Sequence, residues 1–360
     1  MSSSPVQAGP FARIVILKPC CIGDVIFATP LLMALRRAYP EALIDWAVST
    51  PAAGALEGHP ALHALIPTGK LANPASRAKP LVRLVWALRR GHYDLIVVPD
   101  RSRLLAVVPL MSYIPHRAGL DSAGRGFSYN YPAHIDPQQI RHESEIYLDI
   151  GRALGIDVEG VWSYAPPPPE AAATATTLLS SHQLTPGRFL MVHPGGGLNA
   201  GMSMVQKRYP PPLMAALVKQ IEVALEGAQI VIVGAASDQE AISVLKTHLE
   251  AAKVIDLSEK LTLRQIGALA VHAALYIGND NGVGHLAAAS GAKVLMIFGP
   301  SDPRRYAPFV PPDQARAVWR PIDLPPEGVS AGIPLTFDWE RDGISVSEAF
   351  EAAQSLLHQR

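Results

Sequence analysis

The chain has 360 residues, of which 49% are hydrophobic and 17% are charged, and its 31 basic groups balance its 31 acidic groups. This composition excludes a disordered chain, which requires low hydrophobicity and high net charge, and argues against a nucleic-acid-binding protein with an overall basic surplus. The length predicts two domains, each large enough to bury its own core. The 33 prolines exceed the usual share of about 5% and are expected to mark loops and boundaries.

The two cysteines are adjacent, at Cys20 and Cys21. A bridge between neighbours would strain the backbone, so we expect unbridged thiols in a reducing cytoplasm. The N-terminal residues lack the layout of a signal peptide. The longest apolar segment, residues 104–115, contains two prolines and is too short to span a bilayer. These features predict a cytoplasmic protein without a transmembrane segment.

In the first half of the chain, β-branched segments alternate with segments of helical periodicity. This alternation predicts a parallel sheet with helical crossovers. Arg36 and Arg37 suit the end of the first helix, because cations are favoured at helix C-termini. The predicted strands are residues 13–18, 43–48 and 93–98, the predicted helices are residues 25–38 and 81–90, and residues 19–24 form a loop.

Four consecutive prolines, residues 166–169, are the best boundary, because such a run is extended and stiff. The same alternation then begins again. We predict domains at residues 1–165 and 175–342, a hinge at residues 166–174, and a terminal helix at residues 343–360 that packs back on the N-terminal domain. In the second half, strands are predicted at residues 189–192, 229–233, 274–277 and 294–298, and helices at residues 211–225, 263–272, 283–290 and 346–358.

Ligands of such sheets bind outside the carboxyl ends of the strands, and a cleft between domains is a favoured site. Gly23 and Asp24 follow the first predicted strand. Asp24 is either an N-terminal cap of the next helix or a general base. The pattern of residues leaves both open.

Two glycine-rich segments follow strands of the second half. Gly195 and Gly196 belong to a triple glycine whose backbone N–H groups suit an anion, and Lys207 follows at loop distance. This segment matches neither a P-loop nor the dinucleotide-binding fingerprint. The alternative to an anion site is therefore a flexible, solvated loop. The second segment puts small residues at a strand-to-helix turn, a site for a diphosphate. It contains Asp280, Asn281, Gly282, Val283, Gly284 and His285. For Asp280 the alternative is a helix cap. For His285 the alternative is a core or capping histidine.

The neutral total charge hides a basic segment. Residues 70–125 contain ten Lys and Arg but only three Asp, and Arg101, Arg103 and Arg117 are among the ten. The surplus suits an anionic acceptor or an anionic membrane surface, or consists only of solvated helix ends. Aromatic residues do not alternate with these cations, which argues against single-stranded nucleic acid.

Taken in order along residues 13–310, these motifs resemble the ADP-heptose:lipopolysaccharide heptosyltransferase family, family 9 of the glycosyltransferases. The segments that carry the resemblance are Gly23-Asp24-Val25 with Thr29-Pro30, Ile44-Asp45-Trp46, Arg117-Ala118-Gly119, His193-Pro194-Gly195, Lys207-Arg208-Tyr209-Pro210, Val233-Gly234, Asp280-Asn281-Gly282 with His285-Leu286-Ala287, and Phe298-Gly299-Pro300-Ser301-Asp302-Pro303. The resemblance implies a GT-B fold, in which two Rossmann-like domains face each other across a cleft.

The resemblance also implies an inverting sugar transfer from an ADP-sugar to a lipopolysaccharide-core or related anionic glycolipid. It makes Asp24 the base and places the acceptor at Arg101, Arg103 and Arg117. Lys207 and the N–H groups of Gly282, Val283 and Gly284 are expected at the donor diphosphate, Asp280 and His285 in the donor pocket, and the ribose at Asp238 or Glu240; Gly23, Gly195, Gly196 and Asn281 are further donor-binding candidates. The basic segment suits peripheral contact with the inner membrane surface, and the charge pattern argues against nucleic acid. Since no carboxylate pair or Asp-x-Asp motif suits a metal, we expect no obligatory metal or cofactor besides the ADP-sugar. A nucleotide-sugar epimerase of similar fold and a non-catalytic nucleotide-sugar or glycolipid-binding protein are the alternatives.

Overall fold

The computed structural model describes residues 9–69, 71, 78–199, 202–323 and 337–358. The chain divides into two units, Met1–Tyr164 and Ala165–Arg360. In the described ranges, each unit is built around a six-stranded parallel sheet with connecting helices. The α/β class and the two parallel sheets predicted from the sequence are therefore confirmed.

The sheet of the first unit has the strand order β3-β2-β1-β4-β5-β6. Its strands are β1 (Arg13–Leu17), β2 (Leu43–Val48), β3 (Ala64–Pro67), β4 (Leu95–Val98), β5 (His116–Ser122) and β6 (Tyr131–Ile135). Its helices are α1 (Ile22–Phe27), α2 (Thr29–Ala38), α3 (Thr50–Ala53), α4 (Ala78–Arg90), α5 (Arg103–Met111) and α6 (Glu143–Ala153). Val15 and Leu17 of β1 pack against Leu84 and Leu88 of α4, so the central strand is covered by a crossover helix, as a buried parallel strand requires.

The predicted single helix of residues 25–38 is two helices. Pro30 has no N–H group and cannot donate to the carbonyl of Ile26; the Thr29 hydroxyl donates to that carbonyl instead, at 2.7 Å. The first helix also begins earlier than predicted, at Ile22. Asp24 therefore lies inside the first turn of α1 and not in a loop before it.

The second unit repeats the architecture with the order β11-β10-β7-β12-β13-β14. Its strands are β7 (Phe189–His193), β8 (Leu198–Asn199), β9 (Met202–Ser203), β10 (Gln229–Ile232), β11 (Val254–Asp256), β12 (Leu275–Asn279), β13 (Val294–Ile297) and β14 (Ala315–Val318), of which β8 and β9 form a separate hairpin. Its helices are α7 (Pro169–Ser181), α8 (Pro211–Ala224), α9 (Gln239–Thr247), α10 (Leu263–Ala270), α11 (Gly282–Ala289), α12 (Pro303–Tyr306), α13 (Trp339–Asp342) and α14 (Val346–Leu357).

The terminal helix α14 packs against the sheet and helices of the second unit. Ala349, Ala353 and Leu356 are fully buried in the cluster that covers one face of the second sheet, and α14 contacts α8, β13 and β14. Its apolar stripe is thus used inside its own unit. The helix α7 begins at Pro169, so the segment predicted as a hinge contains the first turns of a helix.

None of the helices within the described ranges combines the length and apolar character needed to cross a bilayer.

Candidate functional site

The first cluster of polar side chains lies at the carboxyl edge of the first sheet. Lys18 follows β1 directly and Asp100 follows β4, and these two strands are neighbours. The Lys18 ammonium lies 3.0 Å from an Asp100 oxygen and 3.9 Å from Oδ1 of Asp24. Parallel strands bring the residues after them to one edge, which is why a lysine and two carboxylates far apart in sequence meet here.

Asp24 combines a capping contact with partial exposure. It is the third residue of α1, and its Oδ2 accepts the backbone N–H of Cys21 at 3.3 Å. Its Oδ1 accepts the Tyr147 hydroxyl at 3.3 Å. The side chain is still 39% exposed. Asp24 therefore closes a capping box and also presents a carboxylate to solvent, so the two interpretations left open by the sequence are compatible.

Burial and charge set the electrostatics of the partners of Asp24. Burial lowers the pKa of Lys18, but Asp100, the Tyr147 hydroxyl and Asp24 outweigh it and leave that pKa well above its ordinary value. Burial also raises the pKa of Tyr147 well above its ordinary value, although Lys18 opposes the shift. Lys18 therefore stays cationic and Tyr147 stays a neutral hydrogen-bond donor beside the Asp24 carboxylate.

The three predicted acceptor arginines are not in one place. Arg101 lies beside Asp100 and makes a bidentate ion pair with buried Glu143, at 2.8 and 3.1 Å. Arg103 is exposed in the first turn of α5. Arg117 lies at the amino end of β5, on the opposite edge of the sheet from Asp24, and donates to the carbonyls of residues 114, 115 and 128. The structure thus brings Arg101 to the cluster but does not bring Arg117 there.

Cys20 and Cys21 precede α1 in the same loop. The structure joins them in a disulfide with Cα atoms 3.1 Å apart, and the peptide bond between them is cis. The expectation of unbridged thiols is therefore wrong.

The second cluster lies at the carboxyl edge of the second sheet. The Lys207 ammonium contacts Oδ2 of Asp280 at 2.6 Å, and the Ser301 hydroxyl donates to the same oxygen at 2.7 Å. His285 Nε2 lies 3.4 Å from Oδ1 of Asp280. Burial raises the pKa of Asp280, but Lys207 and His285 outweigh it and hold the pKa well below its usual range. Asp280 is thus a buried anion that orients Lys207.

The start of α11 is capped by Asn281 and not by Asp280. The Asn281 side-chain oxygen accepts the backbone N–H groups of Val283 and Gly284, at 2.9 and 3.1 Å. Two of the three N–H groups predicted for a phosphate are therefore engaged. The N–H of Gly282 donates to none of the described residues, so it is the donor that remains at this helix terminus.

The glycine loop after β7 is held by Asp238. One oxygen of Asp238 accepts the Gly196 N–H at 3.0 Å and lies 3.1 Å from the Arg208 guanidinium, and the other lies 3.2 Å from His193 Nε2. Gly196 has a φ of 102°, which favours glycine. A Cβ on Gly195 would overlap the Asp238 carboxylate. The part of the loop at Gly195 and Gly196 is therefore anchored by Asp238.

These contacts separate the two predicted ribose residues. Asp238 is 4% exposed; burial raises its pKa, but His193 and the N–H groups of Ala235 and Gly196 hold it well below its usual range. Its oxygens are committed to the loop. Glu240 is exposed in the first turn of α9, so it is the acidic residue that a ligand can reach here.

Replacing Asp238 by Asn should destabilise the second unit by about 3 kcal/mol, because it leaves the Arg208 guanidinium, whose side chain is only 12% exposed, without its counter-charge. The pKa of Asp238 is below its unfolded value, so its stabilisation is present above about pH 4 and is lost as pH falls towards the folded pKa. Urea unfolding between pH 7 and pH 3 measures both effects. The difference in the free energy of unfolding between wild type and variant should shrink on acidification.

The matched control is Asp256→Asn. Asp256, like Asp238, has a cationic partner: the Lys246 ammonium lies 2.7 Å from it. The Asp256 side chain, however, is 28% exposed. An exposed pair contributes only about 1 kcal/mol or less. Equal losses in the two variants would contradict the anchoring role of Asp238.

Several site residues were not predicted as functional from the sequence: Lys18, Asp100, Glu143, Tyr147, Arg208 and Ser301. For Lys18 and Asp100, the sequence offered one signal: each is a charged residue at or just after the end of a predicted strand. Within the described residues, no group of three or more His, Cys, Asp or Glu side chains is arranged to hold a metal ion.

Comparison with known proteins identifies the family. The model of glycosyltransferase family 9 (heptosyltransferase) matches residues 81–323. Lipopolysaccharide heptosyltransferase 2 of Salmonella typhimurium is 27% identical over 311 residues, which are 83% of this chain and 85% of that protein.

Solved structures support the fold. A glycosyl transferase family 9 protein from Veillonella parvula has a TM-score of 0.80 at 22% identity, over 98% of both chains. E. coli heptosyltransferase WaaC with ADP-2-deoxy-2-fluoro heptose has a TM-score of 0.66 at 20% identity, over 86% of this chain and 93% of that one. The predicted family and enzyme class are confirmed: the chain belongs to glycosyltransferase family 9, the heptosyltransferase family, and has its GT-B type of fold.

Proposed function

We propose that this protein transfers a heptose, with inversion, from an ADP-sugar to a lipopolysaccharide-core or related anionic glycolipid acceptor, with Asp24 as the general base. The observation that carries the proposal is the half-exposed Asp24 carboxylate at the carboxyl edge of the first sheet, between the Lys18 ammonium and the Tyr147 hydroxyl. A binding protein would need no such base. The similarity to lipopolysaccharide heptosyltransferase 2 supports the choice of sugar and acceptor.

The donor is assigned to the second unit. Lys207 and the Gly282 N–H would bind the diphosphate, because an ammonium and a helix N-terminus both favour an anion. Asp280 would act through Lys207, because it pairs with the Lys207 ammonium. His285 would act through Asp280, because it lies against the other oxygen of that carboxylate. Glu240 is the better ribose candidate, because Asp238 is committed to the loop. The ADP-sugar complex of the related WaaC supports an adenine nucleotide.

The acceptor is assigned to the first unit. Arg101 and Arg103 follow β4 and begin α5 at the same edge as Asp24, and cations there would bind acidic groups of the acceptor. An acceptor of this kind implies action at the inner face of the cytoplasmic membrane, with the enzyme peripheral to it.

The chemistry requires one proton transfer and one substitution. Asp24 takes the proton of the acceptor hydroxyl while that oxygen forms a bond to the anomeric carbon. The bond from the anomeric carbon to the ADP oxygen breaks on the opposite side, so the configuration inverts. Lys207 and the Gly282 N–H stabilise the charge that develops on the departing diphosphate. Since protein groups supply this positive charge, we infer no obligatory metal.

A thermal-shift series with ADP, UDP and GDP tests the donor assignment. ADP should raise the melting temperature, because a ligand at 100 times its Kd stabilises the folded state by about 2.7 kcal/mol. A response to UDP or GDP alone would overturn the assignment. Incubation of ADP-heptose without acceptor should leave the sugar unchanged; its epimerisation would favour the epimerase alternative.

A further inference from the structure

One surface of the first unit exposes apolar side chains next to arginines. Helix α4 buries Leu84, Val85 and Leu88 against the sheet, yet its opposite side exposes Val82 to 52% and Trp86 to 53%. Tyr113, just after α5, is 79% exposed. We define the α4–α5 face by the residues Val82, Arg83, Trp86, Arg89, Arg90, Met111 and Tyr113.

Side-chain contacts hold this face together. The Arg90 guanidinium lies 5.3 Å from the centre of the Trp86 ring, and that of Arg89 lies 4.5 Å from the centre of the Tyr113 ring. Arg89 also donates to the Met111 carbonyl at 2.9 Å. These contacts link the last turns of α4 to the end of α5 and to Tyr113.

Within the described ranges of the chain, the arginines of this face have no counter-charge. Helices α4 and α5 contain no acidic residue. Between them, Asp94 accepts the backbone N–H groups of Ala12 and Arg13, and Asp100 pairs with Lys18. Among the described residues, no carboxylate pairs with Arg83, Arg89 or Arg90. The positive charge is thus available to an external anion.

A cavity of about 470 Å³ opens beside the face, lined by Arg89, His92, Ser112 and Tyr113 among others. Ser112 is 4% exposed, and its hydroxyl has no hydrogen-bond partner among the described residues. The Arg89 guanidinium at this cavity suits a phosphate group. The cavity is large enough for the polar head of a lipid.

We propose that the α4–α5 face docks the protein on a membrane of anionic phospholipid, with a headgroup phosphate in the cavity. Exposed Trp, Tyr and aliphatic side chains enter the boundary between headgroups and acyl chains, and flanking arginines attract the negative surface. The inference deepens the proposed function, since a membrane is where a glycolipid acceptor resides. The carboxyl edge with Asp24 is not part of the face, so docking leaves it accessible.

The test is co-sedimentation of the full chain with vesicles, with no donor or acceptor present, so that docking and transfer succeed or fail separately. The chain should bind vesicles of phosphatidylcholine with phosphatidylglycerol, should bind pure phosphatidylcholine far less, and should be released by salt. Equal binding to both compositions would overturn the proposal.

Matched variants locate the contact. Arg83→Glu should weaken vesicle binding at least about fivefold, because each cation near such a surface contributes about 1 kcal/mol. Lys219→Glu, an exposed cation on α8, should not. Val82→Ser should likewise weaken binding, and Val223→Ser, on a valine of α8 that is 72% exposed, should not. Equal effects in test and control variants would overturn the assignment to this face, and so would self-association through it without vesicle binding.

Discussion

Asp24→Asn should lower kcat by about 10²–10⁴-fold, the usual contribution of a positioned general base, while ADP binds with unchanged affinity. The amide cannot accept the proton of the acceptor hydroxyl. The amide oxygen can still accept the N–H of Cys21, which Asp24 accepts at 3.3 Å, and the amide NH2 can donate to the oxygen of Tyr147 in place of the hydroxyl bond that Asp24 accepts at 3.3 Å, so α1 keeps its capping contact. Transfer of heptose from ADP-heptose, with ADP affinity followed by calorimetry, measures the two effects.

The control is Glu348→Gln. Glu348 is the third residue of α14 and closes a capping box with Ser345, as Asp24 does in α1 with Cys21. A carboxylate at this position stabilises a helix by about 0.3–1 kcal/mol. Both variants should therefore lose a similar, small amount of stability, and only Asp24→Asn should lose turnover. Near-normal turnover in Asp24→Asn would mean that Asp24 serves only as a helix cap.

Much of the fold follows from local pattern. The strands β1 and β2 and the helices α4 and α8 lie within three residues of their predicted bounds, because each is a buried or amphipathic segment with a clear period. Helices α5 and α6 were not predicted. Helix α5 is apolar almost throughout and contains Pro109, so it shows no helical face, and its helical state depends on tertiary packing.

Site residues could be predicted where a glycine or a charged residue stands at the end of a strand. They could not be predicted where tertiary packing determines which side chains meet. Asp280 and Lys207 were singled out separately, but 73 residues separate them, and no pattern shows that they pair. The resemblance to the family implied Asp238 or Glu240 as the ribose ligand. The burial of Asp238 and its bond to Gly196 come from the meeting of two loops, which only the fold determines.

Lys207→Met should weaken ADP binding by about 10- to 100-fold, since a hydrogen bond to a charged group contributes about 1.5–3 kcal/mol. It should also destabilise the second unit by about 3–5 kcal/mol, because Asp280 then becomes an unpaired buried anion. Calorimetry with ADP and urea unfolding measure the two losses. A loss of stability alone therefore says nothing about ligand binding.

The double variant Lys207→Met with Asp280→Asn separates the two roles. It removes both members of the 2.6 Å ion pair, so no buried charge remains uncompensated, and stability should recover by most of the loss in the single variant. ADP affinity should stay low, because the ammonium that binds the diphosphate is still missing. If the double variant regained ADP affinity together with stability, Lys207 would serve only to neutralise Asp280, and the diphosphate would have to be bound by other groups.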